Sequence, residues 1–102
     1  MPLPLVFRRK VGRDLAAAYG WYEEQRPGLG ERFLTAVEAS FETIEKFPDM
    51  FAQIHRDVRR AIVSRFPYAV FYRVETSRVV VLAVQHTARN PTSWPRARGK
   101  GR

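Results

Sequence analysis

The spacing of apolar residues changes half-way along this chain of 102 residues, and that change constrains its fold more than any other feature. Before Pro48 the apolar side chains recur every three or four positions, which is the repeat of an amphipathic helix. From Val58 onward they recur every second position, the repeat of a β-strand with two different faces. A chain of this length forms one domain. The sequence therefore predicts a single α+β domain with helices first and a sheet afterwards.

The first half predicts two helices joined by a short loop. The buried stripe of the first consists of Val11, Leu15, Ala18 and Tyr22. That of the second, which should begin near Leu29 to Glu31, consists of Phe33, Val37, Phe41 and Ile44. Pro27-Gly28 ends the first helix, and Phe47-Pro48-Asp49 stops the second. Because the loop is so short, the helices should form an antiparallel hairpin.

The strands are predicted on both sides of this hairpin. Leu3 to Phe7 is interpreted as a first strand, where Pro4 favours an edge position. The others are Val58 to Phe66, Tyr68 to Glu75 and Arg78 to His86. Val79 to Val84 is apolar on both faces, which is typical of a central strand covered on both sides. The predicted architecture is β-α-α-β-β-β, an N-terminal helical hairpin packed on a small, mostly antiparallel sheet. Residues 1–94 form this domain, and the basic tail 95–102 is expected to be disordered.

Positive charge is concentrated in the second half of the chain. The whole chain has 18 Lys and Arg, 10 Asp and Glu, a net charge of +8 and a pI of about 10.8. Residues 1–51 carry 7 basic and 8 acidic side chains, whereas residues 52–102 carry 11 and 2, a net of +9. This asymmetry favours steering toward an acidic macromolecule, either nucleic acid or protein, but solubility alone would also explain it.

Several classes of site are excluded by residues that the chain lacks. It has no cysteine, so a disulfide framework, a thiolate zinc site and a cysteine nucleophile are all ruled out. His pairs at metal-ligand spacing, a phosphate-binding glycine loop and a serine elbow motif are also missing. The longest apolar run, Val79 to Val84, cannot span a bilayer, and the N-terminus does not resemble a secretory signal. We expect a cytoplasmic protein without metal, cofactor or membrane contact.

His86 is the better candidate of two histidines for a general base. It would take a 2′-OH proton in an RNA-cleaving site while Arg60, Arg65, Arg73 or Arg89 stabilises the phosphorane charge. The alternatives are structural: His86 as a hydrogen-bonding residue, and Arg73 as a partner of Glu75 or of a helix carboxylate. Trp94 lies outside the periodic elements, and forms either a lid on the sheet or part of a partner surface.

The second half also resembles a known family of proteins. Arg59 to Val74, RRAIVSRFPYAVFYRV, resembles the central strands of the RelE/ParE toxin superfamily. The strand Val79 to Val84, followed by His86, Arg89 and Pro91 as His-x-x-Arg-x-Pro and then by Trp94, resembles the closing part of the ParE-like branch. The resemblance covers roughly residues 3–94 and has the element order predicted above.

This resemblance implies the toxin of a type II toxin–antitoxin system, with a ParD-like or other small antitoxin as its partner. The antitoxin would dock on the hairpin and along the sheet, in a groove formed by Leu15, Tyr19, Tyr22, Phe33 and Val37. Candidate contacts with target or antitoxin are Arg59, Arg60, Arg65, Arg73, Arg89 and Trp94. Operator DNA would be bound only through the antitoxin complex, as in plasmid stabilization systems.

The two branches of the superfamily imply different targets. The ParE-like branch implies inhibition of DNA gyrase by binding, without catalysis, and the RelE-like branch implies ribosome-dependent cleavage of messenger RNA. In the nuclease branch an Arg often follows the Tyr that opens the middle strand, but Ala69 follows Tyr68 here, and Ile62 stands where a lysine is common. These departures favour the ParE-like reading, whereas His86, with Arg89 and Arg60, supports the nuclease. A non-toxic, antitoxin-binding relative is the third possibility.

Overall fold

The structure, a computed structural model, describes residues 3–88 of the chain. Its elements in chain order are β1 (Leu5–Phe7), α1 (Arg9–Gln25), α2 (Leu29–Lys46), β2 (Gln53–His55), β3 (Val58–Ile62), β4 (Tyr68–Val74) and β5 (Val79–His86). The five strands form one sheet in the order β1-β5-β4-β3-β2, in which β1 runs parallel to β5 and every other neighbouring pair is antiparallel. The predicted α+β architecture, a helical hairpin on a mostly antiparallel sheet, is confirmed.

The hairpin packs on one face of the sheet through the two predicted apolar stripes. Phe33, Val37 and Ile44 of α2 are fully buried against Val70 and Tyr72 of β4. The α1 residues buried in the same cluster are Val11, Ala18 and Tyr22. Two stripe residues, Leu15 and Phe41, are only half-buried, and the Phe41 ring packs edge-on against Phe7 at 5.0 Å between ring centres. No helix within residues 3–88 is long and apolar enough to cross a membrane.

The opposite face of the sheet has its own buried cluster, and a bulge in β5 determines its membership. Phe71 lies opposite Ala83, and the next residue, Tyr72, lies opposite Val81, so Leu82 is an extra residue in β5. Leu82 and Ala83 consequently share the face away from the helices, and both are buried there. All residues from Val79 to Gln85 are buried, as predicted for a strand inside the sheet.

The ends of the strands differ from the prediction because turns interrupt the pairing. β3 ends at Ile62 rather than at Phe66, because the chain turns through Arg65, whose φ of 72° lies in the left-handed region. Pro67 has no N–H to donate to a strand. The short strand β2 was not predicted, because Gln53 to His55 shows no apolar alternation. It forms by pairing with β3, where Gln53 lies opposite Arg59.

A carboxylate from α1 caps the beginning of α2. The N-cap residue of α2 is Gly28, with φ of 91°, and it has no side chain to accept a hydrogen bond. Glu23 instead accepts the N–H groups of Gly28, at 3.1 Å, and Gly30, at 2.8 Å. A Cβ at Gly30 would lie 2.8 Å from Glu23 Cγ and from Tyr19 Cδ2, so the two helices approach closely at this glycine. This contact determines the geometry of the hairpin at its loop.

Candidate functional site

Arg59, one of the predicted contact residues, is engaged inside the protein. Its Nη1 donates to the carbonyl of Phe51 at 2.6 Å and to that of Asp49 at 3.2 Å. Its Nη2 lies 3.6 Å from an Asp49 carboxylate oxygen, and its side chain is only 19% exposed. In β3 it lies opposite Tyr72, on the face covered by the helices. Arg59 therefore holds the loop after α2 to the sheet.

Arg73 is also engaged, in an ion pair with Glu75. Its Nη2 lies 3.1 Å from Glu75 Oε2, and Arg78 Nε lies 2.7 Å from the other oxygen of the same carboxylate. The hydrogen bond from Arg78, together with that from Arg73, lowers the pKa of Glu75. The structure thus confirms the alternative in which Arg73 is a structural partner of Glu75.

Arg60 and Arg65 are the predicted cations that remain exposed. Arg60 lies opposite Phe71, on the face of the sheet away from the helices, whereas Arg65 is in the β3–β4 turn. Neither guanidinium group has a hydrogen bond or an ion pair with a residue between 3 and 88. The other two candidates, Arg89 and Trp94, lie outside the described residues, as does the predicted tail 95–102.

His86 lies at the end of β5, on the opposite face of the sheet from Arg60. It pairs across the strands with Tyr68, a residue packed on the helix-facing core, and their ring centres are 5.2 Å apart. Its Nδ1 accepts the N–H of Ala88 at 2.9 Å. The Nδ1 lone pair is therefore engaged in a hydrogen bond within the chain. His86 thus accepts a hydrogen bond from its own chain, and it lies on the face of the sheet opposite to that of Arg60.

A cleft of about 250 Å³ lies beside His86, between α1 and the end of β5. Its lining includes Asp14, Trp21, Tyr68 and His86. Asp14 accepts the N–H of Val84 at 2.9 Å through one oxygen and the Lys10 ammonium at 2.8 Å through the other. The pairing of β1 with β5 reaches only Val81, so Asp14 takes the place of a strand partner at Val84. The sequence did not predict this role of Asp14. The one indication in the sequence was the position of a carboxylate next to Leu15, a residue of the buried stripe.

The residues proposed for an antitoxin groove do not form an open groove in this conformation. Phe33 and Val37 are 0% and 1% exposed, and Tyr22 is buried with them between the helices and the sheet. Burial also raises the pKa of Tyr22. Leu15 and Tyr19 are half-buried, and the Tyr19 hydroxyl donates to Glu31 at 3.1 Å, which raises the Tyr19 pKa. The large apolar side chain that α1 exposes is instead Trp21, at 56%, which sequence reasoning missed.

Between residues 3 and 88 no group of three or more His, Cys, Asp or Glu side chains is placed to hold a metal ion. The features available for binding in this part of the chain include exposed guanidinium groups and two clefts with apolar walls.

Comparison with known proteins identifies the family. The sequence profile of the family described as "ParE toxin of type II toxin-antitoxin system, parDE" matches residues 5–91. The chain belongs to the ParE toxin family. Toxin ParE2 of two Mycobacterium tuberculosis strains is 30% identical over 84 residues, which cover 81% of this chain and 80% of the relative. This confirms the resemblance to a toxin of the RelE/ParE superfamily.

Two solved structures share the fold. A chain of the chromosomal ParDE toxin–antitoxin system from P. aeruginosa aligns with a TM-score of 0.74 and 19% identity, over 82% of this chain and 95% of that one. A chain of the toxin–antitoxin complex RelBE2 from Mycobacterium tuberculosis aligns with a TM-score of 0.61 and 25% identity, over 84% and 99%. The fold is thus common to proteins named after both branches of the superfamily.

Proposed function

We propose that this ParE-family chain stops growth by binding DNA gyrase, that it does so without catalysis, and that a small antitoxin neutralises it in the cytoplasm. The observation that supports binding over cleavage is the separation of His86 from Arg60 by the sheet. His86 pairs with Tyr68 on the helix face, whereas Arg60 pairs with Phe71 on the other face. A nuclease needs its base and its cation around one phosphate, and these two side chains do not meet.

Gyrase supercoiling is the direct test of this proposal. The purified chain is added to gyrase, ATP and relaxed plasmid, and supercoiled product is followed on agarose gels. We expect inhibition or accumulation of cleaved DNA at concentrations similar to those of the enzyme. A chain that stops growth in cells and leaves gyrase unaffected would contradict the proposal.

His86→Ala separates binding from cleavage, because the substitution removes the candidate base of a nuclease. We expect the variant to remain toxic and to inhibit gyrase as the parent does, provided that circular dichroism shows the same fold. His55→Ala is the matched control, since His55 lies in β2, away from the β5 end. Loss of toxicity in a folded His86→Ala protein, together with new messenger ends in translated frames, would instead establish the RelE-like activity.

The likeness to the RelBE2 chain is the observation that keeps this nuclease as the second candidate. It predicts cuts in messenger RNA that depend on the ribosome and appear within minutes of expression. The third possibility, a relative that only binds its antitoxin, predicts harmless expression without the antitoxin.

An antitoxin partner is supported by both solved structures, since one comes from a toxin–antitoxin system and the other from a toxin–antitoxin complex. On this chain we infer that the antitoxin contacts the surface of α1 around Trp21, which is 56% exposed and lines the cleft beside His86. Tryptophan is enriched among the few residues that contribute most of the binding energy of an interface. Operator DNA would be reached only through that complex. Trp21→Ala should weaken neutralisation in a co-expression assay while the variant alone stays toxic.

A further inference from the structure

A second cleft lies between the beginning of α2 and the β3–β4 turn. It has a volume of about 490 Å³ and is lined by Leu29, Arg32, Arg65 and Phe66. Leu29 and Phe66 are half-buried, whereas Arg32 and Arg65 are exposed. The cleft therefore combines apolar walls with two guanidinium groups, and its volume is in the range of sites that admit a side chain or small ligand.

The charge of this cleft is not balanced within residues 3–88. The positions one helical turn from Arg32 are Gly28, Leu29, Thr35 and Ala36, so no i±3 or i±4 carboxylate pairs with it. The nearby carboxylates are engaged elsewhere. Glu23 caps α2 through Gly28 and Gly30, and Glu31 accepts the Tyr19 hydroxyl. Two unpaired guanidinium groups beside one cleft favour a ligand with carboxylates.

The ring of Phe66 packs against buried aromatic rings, and this favours a peptide over nucleic acid as the ligand of the cleft. Its ring meets Tyr22 edge-on at 5.1 Å and Phe33 at 5.4 Å between ring centres, and both of those rings are buried. Binding of a single strand uses aromatic faces on which bases can stack, together with a track of cations along the backbone. Phe66 instead packs against other rings, and the two cations lie at one cleft rather than along a track.

Arg65 occupies a backbone conformation that arginine rarely adopts. Its φ of 72° suits Gly or Asn, and a long charged side chain in that region is unfavourable. The β2–β3 turn contains a second exposed arginine of this kind, Arg56, with φ of 52°, and it does not line the cleft. Arg56 is therefore a matched control for Arg65.

We propose that this cleft docks a segment of a partner protein in which carboxylates flank one aromatic or branched aliphatic side chain. The apolar side chain enters between Leu29 and Phe66, and the carboxylates pair with Arg32 and Arg65. The inference rests on the proposed function only in naming the neutralising antitoxin as the source of this segment.

The first test is an NMR titration of the whole ¹⁵N-labelled chain with the peptide acetyl-Glu-Phe-Glu-amide. We expect chemical-shift changes concentrated at the amides of Leu29, Arg32, Arg65 and Phe66, and much smaller changes with acetyl-Gln-Phe-Gln-amide. Equal changes with the two peptides, no changes at the cleft, or larger changes there with a short single-stranded DNA would overturn the proposal.

The second test compares matched variants in the same titration. Arg65→Asn removes the guanidinium and keeps a residue that tolerates the left-handed region, and Arg56→Asn makes the same change at the control turn. Because an exposed arginine–carboxylate pair contributes modestly, we expect Kd to rise about fivefold for Arg65→Asn and for Arg32→Gln. Arg56→Asn should leave Kd unchanged. An equal rise in Kd for both Asn variants would show that only the overall charge affects binding, and would refute the proposal that the cleft is the docking site.

These outcomes are distinguishable from a failure of the proposed function. A chain that is harmless in cells and inert toward gyrase, but binds the Glu peptide at the cleft, would remove the toxin proposal and leave the docking site. A toxin whose antitoxin, the product of the adjacent reading frame, binds Arg32→Gln and Arg65→Asn as tightly as the parent would refute the docking site alone.

Discussion

Asp14 connects α1 to the sheet through a hydrogen bond that contributes to the stability of the fold. Its carboxylate accepts the N–H of Val84 at 2.9 Å, and its side chain is only 14% exposed. A hydrogen bond to a charged group contributes about 1.5–3 kcal/mol, and a buried N–H left without an acceptor costs a similar amount. Replacing Asp14 by Ala regains about 0.5 kcal/mol of helix propensity. We therefore expect Asp14→Ala to lower the free energy of unfolding by about 2 kcal/mol.

Two further variants separate the hydrogen bond from the ion pair. Asp14→Asn keeps an acceptor oxygen for Val84, so its loss should be about 1 kcal/mol. Lys10→Met removes only the pair with Lys10, which is 36% exposed, so its loss should stay below about 0.5 kcal/mol. Urea denaturation followed by circular dichroism measures all three values. The reasoning is refuted if the free energy of unfolding of Asp14→Ala lies within 0.5 kcal/mol of the parent value, roughly the error of such a fit. It is also refuted if Lys10→Met lowers that free energy as much as Asp14→Ala does.

Two more predictions concern the core and the hairpin. Burial raises the pKa of Tyr72 to about 12 from 10.0, and its hydroxyl donates to the carbonyl of Pro48 at 2.7 Å. Because the folded pKa is raised, this contribution to stability is complete below pH 10 and is lost as the pH rises toward 12. Tyr72→Phe should therefore flatten the alkaline part of a stability-against-pH curve and cost about 1 kcal/mol at pH 7; an unchanged alkaline slope would contradict this. Gly30→Ala should destabilise by about 1–3 kcal/mol in thermal unfolding, since its Cβ would meet Glu23 and Tyr19 at 2.8 Å. Gly20→Ala, where a Cβ meets nothing within 4 Å, should be neutral or stabilising by up to about 1 kcal/mol, and equal effects at the two glycines would refute the packing argument.

The sequence predicted the hairpin well because its signal is local. Phe33, Val37 and Ile44 recur at helical spacing, and all three are buried on the face that the spacing indicates. The prediction failed for β2, because that strand depends on pairing with β3 rather than on any alternation of its own. It also missed the bulge at Leu82, since a run of apolar residues looks the same with or without an extra residue.

For the candidate site, the sequence predicted the types of residue but not which of them are exposed. Arg59 and Arg60 are neighbours in the chain and indistinguishable by residue type, yet one binds loop carbonyls and the other is exposed. The difference arises because adjacent residues of a strand point to opposite faces, and only the assembled sheet determines which face the hairpin covers. The same reason explains why Phe33 and Val37 are core residues rather than a groove.

The order of amino acids alone determined that this protein is a helical hairpin on a sheet with its positive charge in the second half, because periodicity and composition are properties of the chain itself. Tertiary structure decided that Asp14 accepts the N–H of Val84 in β5, that the sheet separates His86 from Arg60, and that Arg32 and Arg65 line the same cleft. These contacts join residues far apart in sequence, and strand register, a bulge and a turn determine their geometry, none of which local spacing encodes.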